Sequence, residues 1–272
     1  MVSLNIENFD FEQITESGQC FRMTKTENNK TRIISGDKYL TASQEGQKVT
    51  FDCSEEEFDS YWKNYFDLET DYSRYISSVD QNDIYLKNAS AFGSGIRILN
   101  QNLWEMIVSF LISQQNNITR IRKCISNISE KYGIQKTASD GTIYYSFPQP
   151  EAFALLNEDE LMECNLGYRS KYVVRTSRMV CDGKIDLNEL YMLEYDEAKS
   201  KLLNLYGVGN KVADCICLFG LHKTEAFPVD THIKKVLNEQ YPNGFPFESY
   251  KGFEGIIQQY IFYYDLRGKI NA

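Results

Sequence analysis

The sequence predicts an α+β fold that is predominantly helical, in which an N-terminal antiparallel β layer precedes a helical body. Short β-prone segments separated by turn residues fill positions 31–53. After them, apolar residues recur at helical spacing through most of the chain. We therefore divide the chain into an N-terminal β-containing domain, 1–95, and a helical body, 96–272.

The length and composition are those of a globular protein of one or two domains. The chain has 272 residues, of which 42% are hydrophobic and 25% are charged. Its mean hydropathy is −0.44 and it has no long uncharged apolar stretch, which excludes a membrane-spanning protein. Because the first residues contain neither a basic leader nor an apolar signal core, we expect a cytoplasmic protein.

The cysteines argue against a disulfide framework and against a metal centre. There are 7 of them, an odd number, scattered along the chain without a CxxC pair, which favours reduced thiols. Since the sequence has only 2 histidines, it lacks ligands at the spacing of a zinc or iron–sulfur site. We expect no metal and no cofactor.

The predicted β layer is an antiparallel meander. Segments 31–35 and 39–42 flank a Gly36-Asp37 turn, and segment 49–53 follows a polar break. Ser54 and Glu57 then form a predicted capping box, after which aromatic residues recur at helical spacing. Helices are therefore expected to dominate from this point onward.

A buried central helix is predicted to begin at Asn102, which with Glu105 fits the start of a helix. Its apolar residues include Leu103, Met106, Ile107, Phe110 and Leu111. Because its other faces are also largely apolar, we expect it in the centre of the fold. The polar run 114–117 interrupts it before a new helical stripe, and residues 136–150 are predicted to connect helical layers.

Residues from about 196 to 221 are predicted to form a helix-hairpin-helix. A short amphipathic helix leads into Tyr206-Gly207-Val208-Gly209-Asn210, and a second helix follows. Two such glycines permit positive φ and close backbone approach, and the amides that open the second helix favour an anion. The segment predicts a phosphate-binding hairpin, although a tight corner between two helices explains the glycines alone equally well.

Two side chains near this hairpin have the chemistry of a catalytic pair. Lys211 begins the second helix, with Cys215 on the same face four residues on, and a neutral lysine amine is a nucleophile. Asp230 follows an X-Pro segment at a helix N-cap, where an ionised carboxylate can stabilise positive charge. Taken singly, Lys211 is explained as a surface lysine and Asp230 as a cap.

The hairpin and the aspartate belong to a longer pattern. Gly207-Val208-Gly209, Lys211-Val212-Ala213-Asp214-Cys215 and Pro228-Val229-Asp230-Thr231-His232 resemble the helix-hairpin-helix, Gly/Pro-rich, Asp superfamily of DNA glycosylases, and most closely the 8-oxoguanine DNA glycosylase/lyase family. Further blocks at 17–22, 116–120, 166–169 and 262–266 resemble the family in the family's order, so the resemblance covers nearly the whole chain. No cysteine follows Cys217, unlike in related iron–sulfur glycosylases.

The resemblance implies a target base that swings out of the duplex into a pocket. The carbonyl of Gly18 would accept the N7 hydrogen that 8-oxoguanine has and guanine lacks. Gln258 would read the Watson–Crick edge of the base. Phe262 and Cys215 would lie on the two faces of the ring.

The resemblance also implies residues that fill and read the gap left in the duplex. Tyr168 would wedge into the space of the flipped base, and Arg120 and Arg169 would hold the orphaned cytosine. Asn116 would contact the DNA nearby. At Gln115 the chain departs from the family, which usually has a run of three asparagines here.

Contacts to the DNA backbone are implied for the hairpin and for the helix after it. Gly207 and Gly209 would let the hairpin amides bind phosphate, and His232 matches a family histidine that could contact phosphate. Tyr206 replaces the proline that is common before the first hairpin glycine. This departure should loosen the hairpin slightly and leave its amides in place.

The implied function is base-excision repair of duplex DNA by a bifunctional glycosylase and abasic-site lyase. Lys211 would attack C1′, 8-oxoguanine would leave, and the resulting Schiff base would permit β-elimination of the 3′ phosphate. Asp230 would stabilise positive charge on the sugar. We expect a monomer that acts on 8-oxoguanine opposite cytosine and does not bind a membrane. In a prokaryote it would be associated with DNA in the cytoplasm, and in a eukaryote it would be nuclear.

Two other functions stay open at this point. A glycosylase of the same superfamily for another damaged base would share the fold, but such enzymes commonly lack a lysine at the position of Lys211. A noncatalytic helix-hairpin-helix DNA-binding protein would need neither Lys211 nor Asp230. The net charge of −9 argues against nonspecific DNA binding, so binding must depend on a local positive field.

Overall fold

The computed structural model describes residues 1–268 and shows an α+β fold in which helices predominate. The strands of the main sheet are β1 (Val2–Asn5), β2 (Met23–Lys25), β3 (Thr31–Ser35), β4 (Lys38–Glu45) and β5 (Lys48–Phe51). They form one five-stranded antiparallel sheet in the order β1-β5-β4-β3-β2. The predicted fold class and the predicted N-terminal β layer are confirmed.

The sheet is larger than the sequence analysis predicts. The meander of β3, β4 and β5 is confirmed, and Gly36 and Gly46 turn the chain at φ angles of +57° and +60°. The edge strands β1 and β2 were not predicted from the sequence; β1 pairs with β5, and β2 pairs with β3. Such short strands lack a readable alternation, because their pairing depends on the strand beside them.

The helices are α1 (Phe11–Glu16), α2 (Glu55–Glu57), α3 (Lys63–Tyr65), α4 (Ser73–Ser77), α5 (Ile84–Phe92), α6 (Leu103–Ser113), α7 (Ile118–Tyr132), α8 (Pro150–Ala154), α9 (Ser170–Cys181), α10 (Leu187–Met192), α11 (Tyr195–Leu202), α12 (Asn210–Gly220), α13 (Thr231–Gln240) and α14 (Glu254–Arg267). A π-helical turn, Phe58–Trp62, joins α2 to α3, and short 3₁₀ helices lie at Glu160–Cys164, Gly167–Arg169 and Phe247–Tyr250. Two more strands, β6 (Gln135–Thr137) and β7 (Ile143–Tyr145), pair within the segment predicted as a connection.

The central helix α6 begins where the sequence predicts. The side chain of Asn102 accepts the backbone N–H of Glu105 at 3.0 Å, which satisfies one donor of the first turn. The Glu105 carboxylate does not bond back to the Asn102 backbone, as it would in a capping box. It accepts the backbone N–H of Gly36 at 2.8 Å and lies 3.5 Å from the Arg22 guanidinium. The buried glutamate therefore ties α6 to the turn between β3 and β4.

Two hydrophobic clusters underlie the two layers. The smaller lies beneath the sheet, and the larger surrounds α6, in which every residue from Leu103 to Ile112 is buried. The helix α5 packs on α14 and contributes to the larger cluster, although the predicted boundary at residue 95 puts it in the N-terminal domain. α12 also packs on α6. Residues near the start of α12 lie beside residues of α14.

None of the helices within residues 1–268 is both long enough and apolar enough to cross a membrane. Over the same part of the chain, no group of three or more His, Cys, Asp or Glu side chains is arranged to hold a metal ion.

Candidate active site

The residues predicted to touch the base or the sugar carbon line one cavity. Its walls include Gly18, Lys211, Cys215, Asp230, Gln258 and Phe262. Its volume is about 50 Å³, enough for a few water molecules, so it must widen to admit a purine. Larger grooves on the described chain, of about 750 and 840 Å³, contain none of these residues.

Lys211 lies in the first turn of α12 and is half-buried. Its Nζ lies 5.5 Å from the centroid of the Phe110 ring on α6, a cation–π distance. Among residues 1–268 it forms no ion pair with a carboxylate. Its position in the wall of the cavity suits a nucleophile.

Asp230 caps α13, as predicted. Its Oδ1 accepts the backbone N–H of Ile233 at 2.9 Å, so the carboxylate is held at the positive end of the helix dipole. The preceding Pro228 is buried and also lines the cavity. The cap thus holds a negative charge against the same space that Lys211 borders, where it can stabilise developing positive charge.

Cys215 is buried one helical turn after Lys211. Burial raises the pKa of its thiol, and the neighbouring Lys211 ammonium opposes that shift only in part. The side chain is therefore a neutral thiol at neutral pH. It offers the cavity an apolar, polarisable surface suited to packing against an aromatic ring.

Gly18 follows α1 with a φ of +76°, a conformation that favours glycine. A β-carbon added to it would lie 3.1 Å from Cε1 of Phe262, so the phenyl ring packs directly on the backbone at this turn. Phe262 lies on α14 and also contacts the His232 ring, with the ring centroids 5.8 Å apart. Phe262 closes the cavity on the side of Gly18.

Gln258 is buried on α14, and both ends of its amide are engaged. Its Nε2 donates to the carbonyl of Pro228 at 3.0 Å, and its Oε1 accepts from Nε2 of Gln259 at 3.0 Å. Because the Pro228 carbonyl can only accept, the amide nitrogen must face it. The amide oxygen accepts from Gln259 with one of its two lone pairs, which leaves the other lone pair for a further donor.

The glycine hairpin lies between α11 and α12, as predicted. Gly207 has a φ of +87°, whereas Gly209 has a φ of −100° and is the N-cap residue of α12. The hairpin is held from behind, where Nε2 of Gln114 donates to the Gly207 carbonyl at 3.0 Å and Thr176 donates to the Tyr206 carbonyl at 3.0 Å. The exposed start of α12 is left open for an anion.

Tyr168 and Arg169 lie together in a 3₁₀ turn outside the cavity. Tyr168 is exposed, as a wedge requires, whereas Arg169 is buried. The Arg169 guanidinium donates to the carbonyls of Gln114 at 2.7 Å, Gln115 at 2.8 Å and Leu166 at 3.3 Å. In this conformation its donors are engaged within the protein, so contact with a cytosine would require it to exchange these partners.

The remaining predicted DNA contacts also lie outside the cavity. Arg120 is exposed in the first turn of α7, and the Asn116 amide donates to the Ile112 carbonyl at 3.1 Å. His232 lies in the first turn of α13, where its Nδ1 is 2.9 Å from Oδ2 of Asp265. This contact orients the imidazole at the edge of the cavity without placing it in the wall.

Several residues of the cavity wall were not predicted from the sequence, namely Ser17, Phe110, Phe219, Pro228 and Gln259. Phe219 carried a usable signal, because it lies eight residues after Lys211 and four after Cys215, on one stripe of α12. Phe110 was assigned to the core of α6, since nothing in its spacing distinguishes a core position from a cavity wall. No sequence signal marked Gln259.

Comparison with known families divides the chain between two domain models. The model described as 8-oxoguanine DNA glycosylase, N-terminal domain, matches residues 1–107. The model described as HhH-GPD superfamily base excision DNA repair protein matches residues 108–245. The second match contains the hairpin, Lys211 and Asp230, whereas α14, with Gln258 and Phe262, follows it.

Individual relatives agree with these matches. The N-glycosylase/DNA lyase of Saccharomyces cerevisiae is 29% identical over 269 residues, which are 88% of this chain and 70% of the relative. The probable N-glycosylase/DNA lyase of Methanothermobacter thermautotrophicus is 31% identical over 198 residues, 65% of this chain and 62% of the relative. The crystal structure of Clostridium acetobutylicum 8-oxoguanine glycosylase/lyase with dsDNA containing cytosine opposite 8-oxoG has a TM-score of 0.91 and 37% identity, over 97% of this chain and 94% of that one.

Proposed function

Because this chain belongs to the 8-oxoguanine DNA glycosylase/lyase family of the HhH-GPD superfamily, we propose that Lys211 and Asp230 carry its chemistry. The protein binds duplex DNA and acts in base-excision repair of 8-oxoguanine as a bifunctional glycosylase and abasic-site lyase. One observation supports the residue assignment above all. Both side chains line the same cavity as the four predicted base contacts.

The reaction follows from an amine and a carboxylate on the walls of one cavity. The lone pair of Lys211 Nζ forms a bond to C1′ while the bond from C1′ to N9 breaks, and the departing base takes that electron pair and is then protonated. The Asp230 carboxylate stabilises the positive charge on the sugar as the bond breaks. This first half is the glycosylase step.

The lyase step consumes the covalent intermediate. Nζ of Lys211 loses a proton, O4′ gains one as the sugar ring opens, and an imine joins the lysine to C1′. Loss of a C2′ proton then expels the 3′ phosphate by β-elimination. Water hydrolyses the imine, which releases the cut strand and restores the amine.

Base recognition is assigned to the walls around Lys211. The Gly18 carbonyl accepts the N7 hydrogen of 8-oxoguanine, and Gln258 faces the Watson–Crick edge. Cys215 and Phe262 pack on the two faces of the ring. The narrow cavity supports a two-step entry in which Phe262 first moves away from Gly18 and then closes on the base.

The opposite strand is assigned to the exposed side of the same region. Tyr168 fills the gap, and Arg120 and Arg169 present donors that match the O2 and N3 acceptors of an unpaired cytosine. Gly207, Gly209 and His232 face the DNA backbone, and Asn116 contacts the DNA beside the gap. We assign the preferred lesion pair as 8-oxoguanine opposite cytosine.

We further assign a monomer that works wherever the chromosomal DNA lies, in the cytoplasm of a prokaryote or the nucleus of a eukaryote. A single chain supplies every residue of the proposed site. Size-exclusion chromatography with and without duplex tests the monomer, which is expected to form a 1:1 complex with DNA. Elution of the free protein at twice its mass would contradict it.

Borohydride trapping tests the proposed function directly. The protein is incubated with duplexes that carry 8-oxoguanine opposite each of the four bases, and reduction converts the imine to a stable adduct. We expect trapping and strand cleavage, both strongest opposite cytosine. Cleavage that leaves no trapped adduct would overturn the lysine mechanism, and equal trapping opposite all four bases would overturn the assigned pair.

A further inference from the structure

We propose that Gln259 is a specificity-determining residue whose amide oxygen accepts a hydrogen bond from the 2-amino group of the target base. The inference rests on the function proposed above and concerns the same cavity. Gln259 is buried next to Gln258 on α14 and is part of the cavity wall. It has no role in the reaction steps assigned to Lys211 and Asp230.

The direction of the Gln259 amide is set by a chain of hydrogen bonds. The Pro228 carbonyl accepts from Nε2 of Gln258, so Oε1 of Gln258 points the other way. That oxygen accepts from Nε2 of Gln259 at 3.0 Å. The reverse orientation of Gln259 would set two carbonyl oxygens against each other, so its own Oε1 must point away from Gln258.

The Oε1 atom of Gln259 is buried and has no hydrogen-bond partner among residues 1–268. A buried carbonyl acceptor without a donor is unfavourable, and native proteins rarely leave one in place without a use for it. The residue is only 3% exposed, so bulk water does not satisfy this oxygen. A donor that enters the cavity with the substrate would satisfy it.

The donor pattern of guanine-type bases matches two neighbouring acceptors. Their Watson–Crick edge carries N1–H and the 2-amino group side by side, and the Oε1 atoms of Gln258 and Gln259 are adjacent acceptors. An adenine-type base presents an unprotonated N1 on this edge, which would face an acceptor. Sites built to pair a substrate donor discriminate strongly against analogues without it, because the buried acceptor is then left unpaired.

The test compares 8-oxoguanine with 8-oxohypoxanthine, which keeps N1–H, N7–H and both carbonyls and lacks only the 2-amino group. Single-turnover excision is measured opposite cytosine for both bases. The parent should prefer 8-oxoguanine by about tenfold, the effect of one buried hydrogen bond. Gln259→Met keeps the length of the side chain and removes both polar atoms. In this variant the excision rate on 8-oxoguanine should fall about tenfold, and the ratio of the rates on the two bases should approach one.

Two comparisons separate this role from a loss of folding. Ser177→Ala removes a buried hydrogen bond, from Ser177 to the Val173 carbonyl at 2.7 Å, away from the cavity wall, and should keep the parent's ratio. Gln259→Asn keeps an amide but draws its oxygen back by one methylene, so it should also lower the ratio of the 8-oxoguanine rate to the 8-oxohypoxanthine rate. This second variant keeps the test decisive if the methionine variant folds poorly.

The outcomes distinguish the two proposals. If the parent releases no 8-oxoguanine, the proposed function fails. If the parent releases 8-oxoguanine but excises both bases equally, or if both Gln259 variants keep its preference, the assignment of Gln259 fails and the proposed function stands.

Discussion

Tyr172 packs directly against Gly207 of the hairpin, so that a β-carbon added to this glycine would lie 2.6 Å from Cγ of the tyrosine ring. A β-carbon added to Gly209, two residues on, would have no atom of residues 1–268 within 4 Å apart from its own chain neighbours. The two glycines of one motif therefore serve different purposes. Gly207 is needed for the packing of α9 against the hairpin, whereas the side of Gly209 stays open for the phosphate contact proposed above.

This difference predicts that alanine substitution affects mainly stability at Gly207 and mainly DNA binding at Gly209. Gly207→Ala, which adds a clash and a strained φ, should lower the free energy of unfolding by roughly 1–3 kcal/mol. Gly209→Ala should lower it by at most about 1 kcal/mol, as a poorer N-cap, yet weaken duplex binding by about tenfold. Thermal melts and duplex titrations at two salt concentrations measure both, and equal melting temperatures for the two variants would contradict this reading.

Lys211→Gln should abolish borohydride trapping and strand cleavage while duplex binding stays within a few-fold of the parent. The amide is one bond shorter than the lysine side chain and keeps a polar end, but it cannot form an imine. Lys48→Gln, a control on β5 far along the chain from the site, should trap as the parent does. Trapping by the Lys211 variant would show that another amine is the nucleophile.

Two substitutions of Asp230 should separate its role as a helix cap from its role in catalysis. Asp230→Asn can still accept the Ile233 N–H, so its stability should change little while the excision rate falls by at least about a hundredfold. Asp230→Ala also loses the cap, so its free energy of unfolding should be about 1 kcal/mol lower than that of the parent. Single-turnover rates and thermal melts of both variants decide the matter: an unchanged rate in the asparagine variant would reduce Asp230 to a cap.

The two arginines assigned to the cytosine should behave differently. Arg120 is exposed, so Arg120→Ala should keep the parent's stability and reduce the preference for cytosine over adenine, which we place at roughly one to two decades in rate. Arg169 is buried against the carbonyls of Gln114 and Gln115, so Arg169→Ala should also lower the melting temperature. Excision opposite both bases measures the preference; if Arg169→Ala loses stability and keeps full preference, Arg169 serves the fold alone.

Much of this protein could be predicted from local patterns. The meander, the cap at Asn102, the buried α6 and the two helices around the glycine hairpin all depend on residues close together in sequence. The same holds for Asp230 at its N-cap and for Lys211 and Cys215 one turn apart. Such features are encoded by periodicity, turn residues and capping side chains, which act over a few residues.

Tertiary packing alone decided the rest. Gly18 meets Phe262 from the other end of the chain, and Arg169 turns inward to the carbonyls of Gln114 and Gln115. The Gln259 oxygen has no hydrogen-bond partner among the residues that the structure describes. No local pattern contains this information, because the partner of a buried polar group is set by whichever distant backbone atom the folded core brings within hydrogen-bond distance.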